Sequence, residues 1–215
     1  MHIMDSVLSV PVLAAGSVAG IAGIGLGIRK LKHENIPAAG LLTAVFFAAS
    51  MIRFPIGISS VHLLFGGLLG VFLGWAAFPA IFIGLLLQML MLGFGGWTTL
   101  AVNTFNIASP GVAAYYVFGK LLQQSSSTRG KGIWGFLAGF LSVIVSSLLV
   151  ALGLMLSDMH YLGAAGLEIV AHLPVAVAEG LVAAFLIIFL SKVEPGVFEC
   201  CTPCRDDNTG EIENK

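Results

Sequence analysis

Charge is the scarcest ingredient of this 215-residue sequence: Asp, Glu, Lys and Arg make up 10% of it, against 58% hydrophobic residues. The mean hydropathy is +1.00. A soluble domain carries about 25% charged residues, so a water-soluble fold is excluded. Cysteine is confined to Cys200, Cys201 and Cys204 near the C-terminus. No Gly-x-x-x-x-Gly-Lys-Ser/Thr phosphate cradle occurs anywhere, which argues against ATP hydrolysis by this chain. Met1 to Ser17 contains neither Lys nor Arg, so the positive n-region of a cleavable signal peptide is missing. No internal repeat is evident, and no nucleic-acid partner is expected.

What is present is a succession of apolar runs, each near the roughly 20 residues that cross a bilayer. Seven are read, at about 8–28, 36–54, 61–77, 78–93, 99–121, 132–156 and 166–191. Lipid cannot satisfy exposed backbone groups, so each is expected to be helical. The expected fold class is an all-α membrane protein of about seven transmembrane helices. Residues 1–195 would form one membrane domain and 196–215 a polar cytoplasmic tail. The 27 glycines lie mostly inside the spans, where small residues let helices approach closely. On the first run, Ala15, Ala19, Gly23 and Gly27 form a stripe suited to packing within the bundle or against a partner subunit.

Basic residues set the orientation. Arg29, Lys30 and Lys32 follow the first run; Lys120, Arg129 and Lys131 lie between the fifth and sixth; Lys192, Arg205 and Lys215 follow the seventh. Nine of the ten Lys and Arg thus share one side, with Arg53 on the other. The positive-inside bias predicts an outer N-terminus and a cytoplasmic C-terminus. His2, His62 and His160 then fall at or near the outer surface, with His172 within two turns of it.

Met1-His2 is a candidate chelate. An α-amine and an imidazole one residue later can hold a metal together, with the intervening backbone nitrogen as a third donor. Such donors suit nickel, copper and cobalt better than magnesium or calcium. Further along come Phe54-Pro-Ile-Gly-Ile-Ser-Ser-Val-His62, then Gly66, Gly67, Gly70 and Gly74. After them come Gly93-Phe-Gly-Gly-Trp-Thr-Thr99, Asn103-Thr-Phe-Asn106 and Pro110-Gly111.

In this order and spacing, with the opening Met-His-Ile-Met, the motifs resemble the CbiM/NikM family over about residues 1–195. These are the substrate-binding (S) components of energy-coupling-factor transporters for cobalt and nickel, the family tied to cobalamin biosynthesis. The resemblance implies a multi-pass cell-membrane protein that captures Ni(II) or Co(II) as substrate, with no catalytic cofactor and no enzyme activity of its own. It implies as ligands the Met1 amine, the backbone and imidazole nitrogens of His2, and His62. It implies as partners two ATPase subunits, a transmembrane coupling subunit and often a small accessory membrane subunit, with the S component toppling in the membrane. The chain departs from the family at Asp5-Ser6, where Glu-Gly is common, at Val61 before His62, and at Phe94, where an acid is usual. Met1 is expected to persist, because the usual aminopeptidase spares methionine before a bulky residue.

Other polar residues have smaller expected roles. Asn103 and Asn106 share a helix face and fit interhelical hydrogen bonding or support of an imidazole from outside the ligand set. Asp5 and Ser60 are candidates for that support. His172 and Glu179 are seven apart on one face, and Glu179 is costly in lipid unless paired; an internal hydrogen bond is expected ahead of a proton relay. His160 reads as a surface histidine. The three tail cysteines fall short of a zinc signature and could bind a soft metal. Two rival functions are a self-sufficient metal permease using Glu179 and an intramembrane serine protease using Ser59 or Ser60 with His172. The second lacks a Gly-x-Ser-x-Gly elbow.

Overall fold

The computed structural model describes residues 3–51, 53–56, 59–125 and 127–193. Met1, His2 and the tail with Cys200, Cys201 and Cys204 lie outside them. Seven α-helices occur among the described residues: α1 Val10–Lys30, α2 Ile36–Ser50, α3 Gly66–Leu73, α4 Ala77–Leu92, α5 Leu100–Gln124, α6 Thr128–Ser157 and α7 Leu162–Val193. Between α2 and α3 lies an antiparallel hairpin of β1 Arg53–Ile56 and β2 Ser59–His62, pairing Arg53 with His62 and Ile56 with Ser59. The fold is therefore nearly all-helical.

Two expected spans are corrected. The run at 36–54 stops being helical at Ser50, and the run at 61–77 is helical only from Gly66. Pro55 accounts for part of this, since it lacks an amide hydrogen and drives Phe54 toward extended backbone. Phe65, at a left-handed φ of 49°, ends the extended stretch and turns the chain into α3. With eight residues, α3 is about 12 Å long, far short of a hydrocarbon core of about 30 Å. A single 3-10 turn, Gly74–Ala76, joins it to α4, so that 66–92 makes one apolar stretch of 27 residues. That stretch, α1, α6 and the run Met159–Val193 are each long and apolar enough to cross a membrane.

α3 is the centre of the bundle, with Gly66 to Val71 all buried. In lipid, close packing rather than the hydrophobic effect holds helices together, and α3 achieves it by lacking side chains. A Cβ on Gly70 would overlap the backbone of Gly111 on α5; one on Gly67 would strike the Ala138 carbonyl and the Ser142 hydroxyl on α6. On α1 the buried small residues are Gly20, Gly23 and Gly27, packed on Ala101, Phe78 and Pro79. Ala15 points outward, so the lower half of the expected stripe is occupied inside the bundle.

Pro110 sits within α5 and cannot donate to the carbonyl of Asn106 four residues earlier. Ser146 of α6 supplies the missing hydrogen bond, its Oγ 2.7 Å from that carbonyl. A helix-breaking residue thus becomes a link between helices, as a membrane interior requires.

Gly70→Leu should cost about 3 kcal/mol or more, the upper end for overpacking. It should lower the melting midpoint in detergent and broaden the size-exclusion peak. Gly40→Ala, where a Cβ meets nothing within 4 Å, should melt almost as the parent does.

Candidate metal centre

The segment before α1 is held from both ends of one residue. The Ile3 amide donates to Oδ1 of Asn103 (3.1 Å), and the Asn103 side-chain nitrogen donates to the Ile3 carbonyl (3.1 Å). Thr99 adds its hydroxyl to that carbonyl at 2.7 Å. A single carboxamide therefore reads the Ile3 backbone as a neighbouring β-strand would. Ile3, Thr99 and Asn103 are all buried, and the Ile3 side chain packs with Leu8, Val102 and Val150. The hydrogen bonds are needed because an unpaired buried amide or carbonyl is costly.

Two residues on, Asp5 fastens the same segment to the loop preceding α5. Its carboxylate accepts from the Trp97 amide (3.2 Å), the Thr98 amide (3.1 Å) and the Thr98 hydroxyl. Gly96 is required there, since a Cβ would overlap the carboxylate. The Thr98 hydroxyl, helped by the amides of residues 97–99, holds the Asp5 carboxyl below its ordinary value of 3.8. Hydrogen bonds to the ionised form outweigh the small loss of solvent.

A second clasp lies where β2 meets α7. His62 is buried, and its Nδ1 lies 3.0 Å from the Leu63 carbonyl. A carbonyl can only accept, so the proton sits on Nδ1 and Nε2 is the lone-pair nitrogen. Leu63 packs on Ala171 and Val175. The amides of Leu64 and Phe65 donate to the Glu179 carboxylate, itself buried. Glu179 therefore anchors the strand-to-helix turn just after His62, the internal hydrogen bond expected of it; its Oε2 has no partner among the described residues. His172, also buried, has Nδ1 2.7 Å from the Glu168 carbonyl and 3.5 Å from the Glu168 carboxylate, while its Nε2 has no hydrogen-bond partner among the described residues.

The singled-out residues thus gather in two places. Asp5 and Asn103 hold the N-terminal segment at the start of α5; His172 and Glu179 lie seven residues apart on α7, and Glu179 binds the chain two residues after His62. Asn106 contributes its carbonyl to α6, and Ser60 is a backbone position in β2 opposite Pro55. His160 stands apart on an exposed turn, its Nδ1 2.7 Å from Asp158. Among the described residues no group of three His, Cys, Asp or Glu side chains is placed to hold a metal. Thr98, Thr99 and Ser146 were not singled out from the sequence, where a hydroxyl beside an apolar run signals little.

Because folding lowers the Asp5 pKa, its contribution is complete above the ordinary value and is lost as pH falls through the lowered one. Intrinsic-rate-corrected hydrogen exchange at residues 97–99 should stay slow from pH 8 to about pH 5 and accelerate below about pH 4. Asp5→Asn should accelerate it already at neutral pH; an unchanged rate would remove the latch.

Comparison with known proteins covers both clasps. A family model described as the cobalt uptake substrate-specific transmembrane region, CbiM, matches residues 2–197. A Haemophilus influenzae protein named for metal transport is 40% identical over 198 residues, covering 92% of this chain and 96% of its own. The fused nickel transport protein NikMN of Rhodobacter capsulatus is 32% identical over 187 residues, covering 83% of this chain and 54% of its own. The crystal structure of a transition metal transporter has the same fold, with a TM-score of 0.79 at 24% identity over 90% of this chain and 93% of that one. The chain belongs to the CbiM family of cobalt and nickel transport proteins, as a multi-pass protein of the cell membrane.

Proposed function

We propose that this chain is the substrate-capture subunit of an energy-coupling-factor transporter importing Ni(II) or Co(II). The ion is bound near the outer face by the Met1 amine, the backbone and imidazole nitrogens of His2, and His62 Nε2. The observation that carries this reading is the clasp of the Ile3 backbone by Asn103 and Thr99. It holds the segment before α1 at a buried position, and Met1 and His2, which precede Ile3, reach at most about 7 Å from it. The His62 tautomer supports it, since metal-binding histidines commonly donate their other ring N–H to a carbonyl. Four nitrogen donors in a plane suit a tetragonal ion better than tetrahedral zinc.

In this reading Asp5 and Asn103 position the N-terminal donors, while Ser60 and Asn106 lie near the ligand set without joining it. The N-terminus lies outside the membrane, with nine of the ten basic residues inside. Energy comes from partners, because the sequence holds no phosphate cradle of its own. The fusion of a related sequence into the longer NikMN chain supports assembly with further transport subunits. ATPases, a coupling protein and an accessory subunit are the proposed ones. The bond from Glu179 to Leu64 and Phe65 favours an anchoring role over the ion-coupling relay a permease needs.

Binding should weaken as pH drops through the region where imidazole and α-amine take up protons, near 6.5 and 7.7–8.0 when unperturbed. Calorimetry should find His62→Ala weakened by about tenfold or more and His160→Ala unchanged. An uncleaved N-terminal extension, which converts the amine to an amide, should abolish tight binding. With the coupling module, cells should accumulate metal in an ATP-dependent manner; equal uptake with an inactive ATPase would favour a permease.

A further inference from the structure

The turn between α3 and α4 brings together basic and aromatic residues that the candidate metal site does not use. Trp75 lies in that turn, Gly74–Ala76, where Gly74 sits at a left-handed φ of 54° beside the Tyr115 ring. The Trp75 indole nitrogen donates to the Tyr116 hydroxyl of α5 at 2.8 Å. The Lys30 ammonium, from the last turn of α1, stands over the Trp75 ring, 5.6 Å from its centroid, a favourable placement of a cation on an aromatic face. Lys120 follows Tyr116 by four residues on α5, so it shares that face about 6 Å further along. Three elements thus set two ammonium groups about one indole–phenol pair.

These donors are not consumed within the chain. Glu34, the carboxylate that follows α1, faces Lys32 at 3.8 Å. Neither Lys30 nor Lys120 has an ion pair among the described residues. The Tyr116 oxygen accepts from Trp75, which leaves its own O–H to donate outward from a side chain 45% exposed. Ammonium and hydroxyl groups with protons to offer make a site for an anion.

The surroundings narrow the choice of anion. Toward the middle of the two helices, Leu26 on α1 and Ala113 on α5 are exposed and apolar. Along each helix the order is therefore apolar surface, then the aromatic pair, then a cation. Trp and Tyr favour the headgroup level of a membrane, and basic residues between helices at that level hold anionic headgroups. A soluble anion needs the cations alone, whereas a phospholipid meets all three layers.

We propose that this face binds the headgroup phosphate of an anionic phospholipid, whose acyl chains lie against α1 and α5. The site goes beyond the capture function and does not depend on the metal ligands. The shared phosphate neutralises Lys30 and Lys120 together and ties the end of α1, a helix whose buried residues are Gly20, Gly23 and Gly27, to α5.

The test uses the full chain in phosphatidylcholine vesicles, with Trp97→Phe and Trp134→Phe so that Trp75 is the only indole. Phosphatidylglycerol brominated on its acyl chains is the quenching probe, and brominated phosphatidylcholine at equal mole fraction is the reference. Phosphatidylglycerol should quench more strongly, a preference that falls about fivefold in Lys30→Gln and in Lys120→Gln and survives in Lys30→Arg. Lys192→Gln, which removes the same charge at the end of α7, should leave it unchanged. Equal quenching by the two lipids would overturn the proposal, and so would an equal loss in Lys192→Gln, which would mean diffuse surface charge. Inorganic phosphate in large excess should not displace the lipid; abolition of the preference would mean a soluble anion instead. If the chain shows no preference but Lys30→Gln loses co-purification with the coupling subunit, the face is a protein contact and the proposal falls. Should Lys30→Gln fail to fold, Lys120→Gln, at an exposed position, decides in its place.

Discussion

The carboxamide of Asn103, bonded to both backbone groups of Ile3, is the interaction on which the candidate site depends. It fixes the segment that precedes α1, at Ile3, against the first turn of α5. Around it the remaining polar groups are arranged by the same rule. Thr99 satisfies the second lone pair of the Ile3 carbonyl, and the Asp5 carboxylate answers the exposed amides at the start of α5. Helix N-termini offer unpaired N–H groups and a favourable field for an anion, so the latch falls where the helix already has donors to spare.

The same intolerance of unpaired backbone shapes the interior. Pro110 leaves a carbonyl bare and Ser146 covers it; the left-handed turn at Phe65 leaves two amides bare and Glu179 covers them. Both repairs join elements far apart in sequence, α5 to α6 and the hairpin to α7. Each irregularity therefore fixes the helices relative to one another. The glycines of α3 work alongside by bringing its backbone against those of α5 and α6, which no larger residue at Gly67 or Gly70 would permit. The short helix that cannot span a membrane thus becomes the core on which the others are assembled.

Hydropathy located the long helices well: α1, α5, α6 and α7 begin and end within a few residues of the runs at 8–28, 99–121, 132–156 and 166–191. It failed at the hairpin and at α3. Apolarity alone does not separate an extended segment buried in protein from a lipid-crossing helix, and Ile56, Val61 and Leu64 satisfy either. Asn103, Asp5 and Glu179 stood out because polar groups in an apolar sequence demand partners. Their partners did not, since Thr98, Thr99 and the backbone of Ile3 carry no signal until the fold brings them together. That Nε2 of His172 has no partner among the described residues is likewise invisible in sequence, being a property of what surrounds it.

The central claim is that the two clasps present one metal site, with nitrogen donors from the N-terminal segment and from His62. Anomalous diffraction at the nickel edge from crystals of the native-terminus protein tests it directly. The account predicts a single strong peak about 2 Å from His62 Nε2, beside the segment that leads into Ile3. A dominant peak beside His160 and Asp158, or at the cysteines of the tail, with none at His62, would contradict it.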